Sequence, residues 1–158
     1  MRRSIFSGVL LLALSSGASA LGIERATTVN DESGGSLGIL TTGEQFADSG
    51  NTLSELTANA FSALGNGSIS GSLTRERSRS VDQLDTVYNG TVSIAGINAD
   101  GKPVTIEVSL ADLRVLRDGD GPEFTGAVTI NGEVFDATAL PDRAATLVRR
   151  VVRLFAFD

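Results

Sequence analysis

From Val104 to Leu110 the chain alternates without interruption. Val104, Ile106, Val108 and Leu110 are apolar, and Thr105, Glu107 and Ser109 between them are polar. Successive side chains of a β-strand project to opposite faces, so this pattern describes a strand with one buried face and one wet face. One-sided burial predicts an antiparallel sheet, and the neighbouring strands are legible. Val87 to Ile97 precedes across the turn Asn98-Ala99-Asp100-Gly101. Phe124 to Ile130 and Glu133 to Ala137 follow as a hairpin around Asn131-Gly132, a dipeptide suited to a type I′ turn because both central residues take positive φ. Past Leu110 the apolar residues fall at Leu113 and Val115, an odd step. A bulge near Ala111-Asp112 returns them to the face of Leu110.

The C-terminal stretch ALPDRAATLVRRVVRLFAFD changes period. Leu147, Val148, Val151, Leu154 and Phe155 form an apolar stripe, with Pro141 in position to open a helix and Arg143, Arg149, Arg150 and Arg153 on the remaining surface. In the first half, Ile23–Val29 and Ser36–Leu40 read as short strands around the turn cluster Asn30 to Gly35. Thr52-Leu53-Ser54-Glu55 matches a capping box, and Leu53, Leu56, Ala60 and Leu64 recur at helical spacing ahead of Gly65. A helix is therefore expected over 52–64. Residues 65–83, rich in Gly and Ser, read either as a flexible connection or as a strand. Arg75, Arg77 and Arg79 fall at period two there, which suits a charged edge strand, or else an anion- or partner-binding strip. The expected fold class is α+β: an antiparallel meander or small sandwich of about six to eight strands, covered on one side by a 142–156 helix, with the shorter helix near one end.

The N-terminus, MRRSIFSGVLLLALSSGASA, has the order of a secretory signal: Arg2 and Arg3, an apolar run from Ile5 to Leu14, then Ala18-Ser19-Ala20. Ten residues are too few to span a bilayer, which takes about 20. The paired arginines suit twin-arginine export, but the leucine-rich core favours the general secretory route. No cysteine follows to carry a lipid anchor. The expectation is a cleaved leader at 1–20 and a single secreted or periplasmic domain at 21–158. Loss of Arg2 and Arg3 leaves 11 basic against 19 acidic residues, a net charge of −8. A domain so acidic repels phosphate backbones and is not expected to bind nucleic acid. The basic C-terminal helix suggests membrane contact, but its arginines equally complement the helix dipole and an acidic sheet, which weighs against that partner.

The chain has no histidine and no cysteine. This removes the commonest general base, the thiol nucleophile and the ligands of ordinary zinc or copper sites. Lys102, the single lysine, sits in a turn, and no glycine motif lies between a strand and a helix to cradle phosphate. With no tryptophan and only Tyr88 as tyrosine, there is little platform for stacking sugars. No enzymatic activity and no obligate cofactor are expected. The stretch RVLRDGDGPEF supplies the one candidate metal site, a calcium site from Asp118, Asp120 and Glu123. An EF-hand loop opening at Asp118 fails, because its fifth, sixth and twelfth positions are Pro122, Glu123 and Thr129. The same residues also suit a hairpin connection. Asn66-Gly67-Ser68 and Asn89-Gly90-Thr91 match the acceptor pattern for N-glycosylation.

Residues 23–39, IERATTVNDESGGSLGI, directly after the export signal, are similar to the start of exported TasA/camelysin-like filament proteins. The likeness covers about a tenth of the chain. The meander and the arginine-bearing helix do not continue it. It implies assembly into filaments. Together these features lead to an expectation of an exported, non-enzymatic domain acting by interaction, as a cell-surface or extracellular structural component. Its partner would be itself, in a homo-oligomer, or another surface protein. The alternative is a secreted or periplasmic module binding a small ligand or calcium.

Overall fold

The computed structural model describes residues 21–62, 67–118 and 121–157; the expected leader lies outside them. Eight strands follow one another: β1 (Leu21–Asn30), β2 (Ser36–Gln45), β3 (Gly50–Phe61), β4 (Gly67–Arg79), β5 (Leu84–Ile97), β6 (Pro103–Asp118), β7 (Gly121–Ile130) and β8 (Glu133–Asp136). Each pairs antiparallel with the next, so spatial order repeats chain order. The helix α1 (Asp142–Val152) comes last and tightens into a 3-10 turn over Arg153–Phe157.

The alternation in β6 has the predicted effect. Val108 and Leu110 are buried on the inner face, and Leu113 returns to that face across a register shift between Ala111 and Arg114. Asp112, inside the shift, has φ of 48°. Its N–H is received by the Asn89 Oδ1 at 2.7 Å, so the side chain of one strand braces the irregularity of the next. Asn131 and Gly132 take φ of 50° and 83°, as a type I′ turn requires.

Inner-face residues from six strands form one core: Leu37 and Ile39 of β2, Leu56 of β3, Leu73 of β4, Val92 of β5, Val108 of β6 and Val128 of β7. Val148, Val151, Leu154 and Phe155 of the C-terminal segment close it. Burying each large apolar side chain stabilises the fold by roughly 1.5–3 kcal/mol. Eight flat strands would span about 35 Å at ~4.8 Å apiece, whereas a helix is only ~10 Å across. One helix can serve the core of so many strands only where the sheet curls around it, as these two widths require. Gly71 and Gly90, inner-face positions of β4 and β5 paired with Val92 and Leu73, take φ of 130° and 121° and let the two strands approach closely. A Cβ on Gly71 would strike the Thr91 carbonyl, and one on Gly90 the Ser72 carbonyl.

Three expectations are corrected. Residues 50–61 are β3 and not part of a helix at 52–64; Leu64 lies outside the described residues, and among those no second α-helix exists. Leu53, at 36 % exposure, faces outward while Ser54, Leu56 and Ala58 are buried, the period of a strand. Pairing on both sides, with β2 and β4, outweighs the local helical spacing. Of the two architectures expected, the strands form the single antiparallel meander and not the small sandwich. The arginine-bearing segment is β4, fourth of eight strands rather than an edge, which answers the question of residues 65–83 in favour of a strand over Gly67–Arg79.

Candidate functional site

Period two in β4 sends Arg75, Arg77 and Arg79 to the inner face, where Arg75 lies beside Ser54 and across from Tyr88. Arg75 is only 7 % exposed. One of its terminal nitrogens donates to the Ser54 Oγ at 2.9 Å, and the other reaches the Phe155 carbonyl at 3.5 Å. The Thr41 hydroxyl donates to the same Ser54 oxygen at 2.8 Å. The guanidinium carbon lies 4.9 Å from the centroid of the Phe155 ring, whose other neighbour is Tyr88 at 5.9 Å. A buried cation over an aromatic face gains electrostatic attraction that water would otherwise screen. These contacts join the middle of the sheet to the end of the helical segment, and their chemistry is that of a structural anchor.

Arg77 and Arg79 continue the same row toward the open end of the inner face and are exposed. Arg117 joins them on β6, two strands away from Arg79 across Leu84, and Arg25 occupies an inner-face position on β1. Arg143, Arg149, Arg150 and Arg153 are exposed on the helix that covers this face. The outer face has the opposite character. One row across the strands reads Glu24, Thr42, Leu53, Glu76, Val87, Arg114, and the next reads Glu44, Asn51, Ser78, Asp85, Leu116, Glu123. Glu55 and Glu107 occupy the same face. Among the described residues Arg114 is the one arginine there, held by Asp85 through a forked contact with a shortest distance of 2.6 Å. A shallow depression of about 420 Å³ lies in this outer surface, with Glu44, Glu76 and Asp85 in its lining.

The residues singled out as a calcium site sit at the β6–β7 connection. Asp118 ends β6 opposite Gly121, and Glu123 lies on β7 opposite Leu116, exposed on the outer face. Asp120 lies outside the described residues. Among the described residues no group of three or more acidic side chains is arranged to hold a metal ion. Of the two glycosylation candidates, Asn66 is outside the described residues, and Asn89 is the half-buried brace of the β6 irregularity. The helical stripe that suggested a membrane surface is spent on the core, since Val148, Val151 and Leu154 are buried. No described helix is long and apolar enough to cross a membrane.

Comparison with protein-family models, with curated proteins and with solved structures finds no match to this chain. The likeness of residues 23–39 to filament proteins therefore stands on those residues alone. Ser54 and Thr41 were missed as anchor residues because a serine inside a capping-box pattern reads as a helix start. Arg75 carried a signal in its spacing, but nothing local distinguishes it from the exposed Arg77 and Arg79. Its burial comes from Phe155, 80 positions later.

Proposed function

We propose that the chain is an exported, non-enzymatic domain that acts by interaction and serves as a self-associating extracellular or cell-surface structural component. The observation that supports this reading most directly is the pair of sheet edges. Among the described residues β1 pairs only with β2, and β8 only with β7. β1 offers ten residues of half-paired backbone, and β8 covers only the Ala127–Ile130 part of β7. Such edges template the addition of further strands unless they are blunted. The composition agrees with this reading, because the chain lacks histidine and cysteine and spends its most buried arginine on packing.

Sedimentation velocity of the purified mature chain at rising concentration tests it. Association that grows with concentration is expected. Ala26→Lys combined with Thr28→Lys, at exposed positions of β1, is expected to leave a folded monomer, because charge on an edge strand opposes pairing. A parent chain that stays monomeric at every concentration overturns the reading. If that monomer also melts at higher temperature with added calcium, the small-ligand or cation-binding alternative takes its place.

A further inference from the structure

The eight-stranded sheet separates charge by face. Exposed arginines of the covered side include Arg77, Arg79 and Arg117 at the open end of the inner face, and Arg143, Arg149, Arg150 and Arg153 on the C-terminal helical segment. The outer side carries Glu24, Glu44, Glu55, Glu76, Glu107 and Glu123, and its one arginine among the described residues is held by Asp85. At strand positions of the inner face, among the described residues, Glu133 at the far edge is the single acid. A mixed distribution would give near-uniform sides; here the two sides of one sheet have opposite sign.

We infer that the arginine-bearing side docks on the acidic outer face of a second copy of this chain. The surfaces are complementary within a single molecule, so the same chain supplies both partners. Because donor and acceptor surfaces lie on opposite sides of the sheet, the contact is head-to-tail. Each docking leaves one arginine side and one acidic face unused, and such a contact propagates into a stack instead of closing as a dimer. Charge pairs of this kind steer association and are screened by salt: the Debye length falls from ~10 Å at 0.1 M to ~3 Å at 1 M. The inference rests on the self-association proposed above and adds a face contact to the edge contact, neither of which holds an assembly without the other.

The test uses two charge-reversed forms of the mature chain, one with Arg149→Glu, Arg150→Glu and Arg153→Glu, the other with Glu44→Arg, Glu55→Arg and Glu76→Arg. All six positions are exposed, and circular dichroism checks that each form is folded. The first form replaces the three positive charges of the helical segment with three negative ones. The second leaves three glutamates against three arginines on the outer face. Each form alone therefore loses the complementarity of its two sides and is expected to sediment as a monomer at a concentration where the parent assembles. Mixed in equal amounts, the two restore opposite facing surfaces and are expected to co-assemble. Raising salt to about 1 M should dissolve both the parent assemblies and the mixture. Parent assembly that survives salt, with both reversed forms assembling alone, overturns the face-to-face contact and leaves association through the strand edges. A parent that never assembles overturns both. If such a monomer binds poly-glutamate and the arginine-reversed form does not, the occupant of the arginine side is an acidic polymer and not a second copy.

Discussion

The Asp31 carboxylate gathers three backbone N–H groups, from Ser33 at 2.8 Å, Gly35 at 2.9 Å and Ser62 at 2.6 Å. Two of them belong to its own β1–β2 turn, and the third comes from the end of β3. Chiefly the Ser62 N–H, with those of Gly35 and Ser33, holds its pKa below the ordinary carboxylate value against the opposing effect of desolvation. A carboxylate whose pKa is depressed by folding contributes stability that is fully present above its unfolded value of about 3.9. That stability is lost as pH falls through the lower folded value. Asp31→Asn is therefore expected to unfold at lower urea than the parent near neutral pH, with the gap narrowing as pH drops below about 4. A constant gap across that range would remove the charged form from the explanation. Asp31 is legible in the sequence as a turn residue. Its tie to Ser62, 31 positions away, is not, because only the pairing of β1, β2 and β3 brings the two together.

Strands of this sheet are made as much by their irregularities as by their alternation. In β3 the register shifts between Ala58 and Phe61, and both side chains are buried on the inner face as a result. Ala60 carries the shift with φ of 49°, a conformation costing a residue with a Cβ roughly 1–2 kcal/mol. Glycine removes that strain but adds ~0.5–1 kcal/mol of unfolded-state entropy. Ala60→Gly is thus expected to stabilise the domain by about 0.5–1 kcal/mol, whereas Gly71→Ala, which forces a Cβ onto the Thr91 carbonyl, should cost about 3 kcal/mol. Equilibrium denaturation measures both, and equal effects of like sign would contradict the bulge argument. The β6 irregularity at Asp112 is readable in advance because Leu110, Leu113 and Val115 record the missed step. The β3 irregularity is hidden because Leu53, Leu56 and Ala60 imitate one face of a helix. Short-range grammar, such as Asn131-Gly132, survives folding unchanged; periods that fit two structures are decided by partner strands.

At the scale of the molecule, the sheet owes its core to a segment that follows all eight strands. Val148, Val151, Leu154 and Phe155 complete the cluster started by Leu37 on β2, and the Arg75 guanidinium rests on Phe155. A chain of residues 21–140 keeps every strand but leaves the inner face bare. It is expected to lose the cooperative thermal transition of the chain that extends to residue 158 and to bind a hydrophobic dye. A sharp two-state melt of that fragment would mean that the sheet is stable by itself. Alternation along the strands announces a covered face, and the stripe at 147–155 announces its cover; the close approach of β4 and β5 is written in glycines that read locally as turns.

That order of elements governs when the protein can fold. A meander whose cover arrives last has no complete core while its strands are still emerging, so the nascent chain stays open until about residue 155 has cleared the machinery that makes or moves it. A route that threads unfolded polypeptide through a membrane pore would then receive a substrate still loose enough to pass, and folding would follow on the far side once the helix is free to seat.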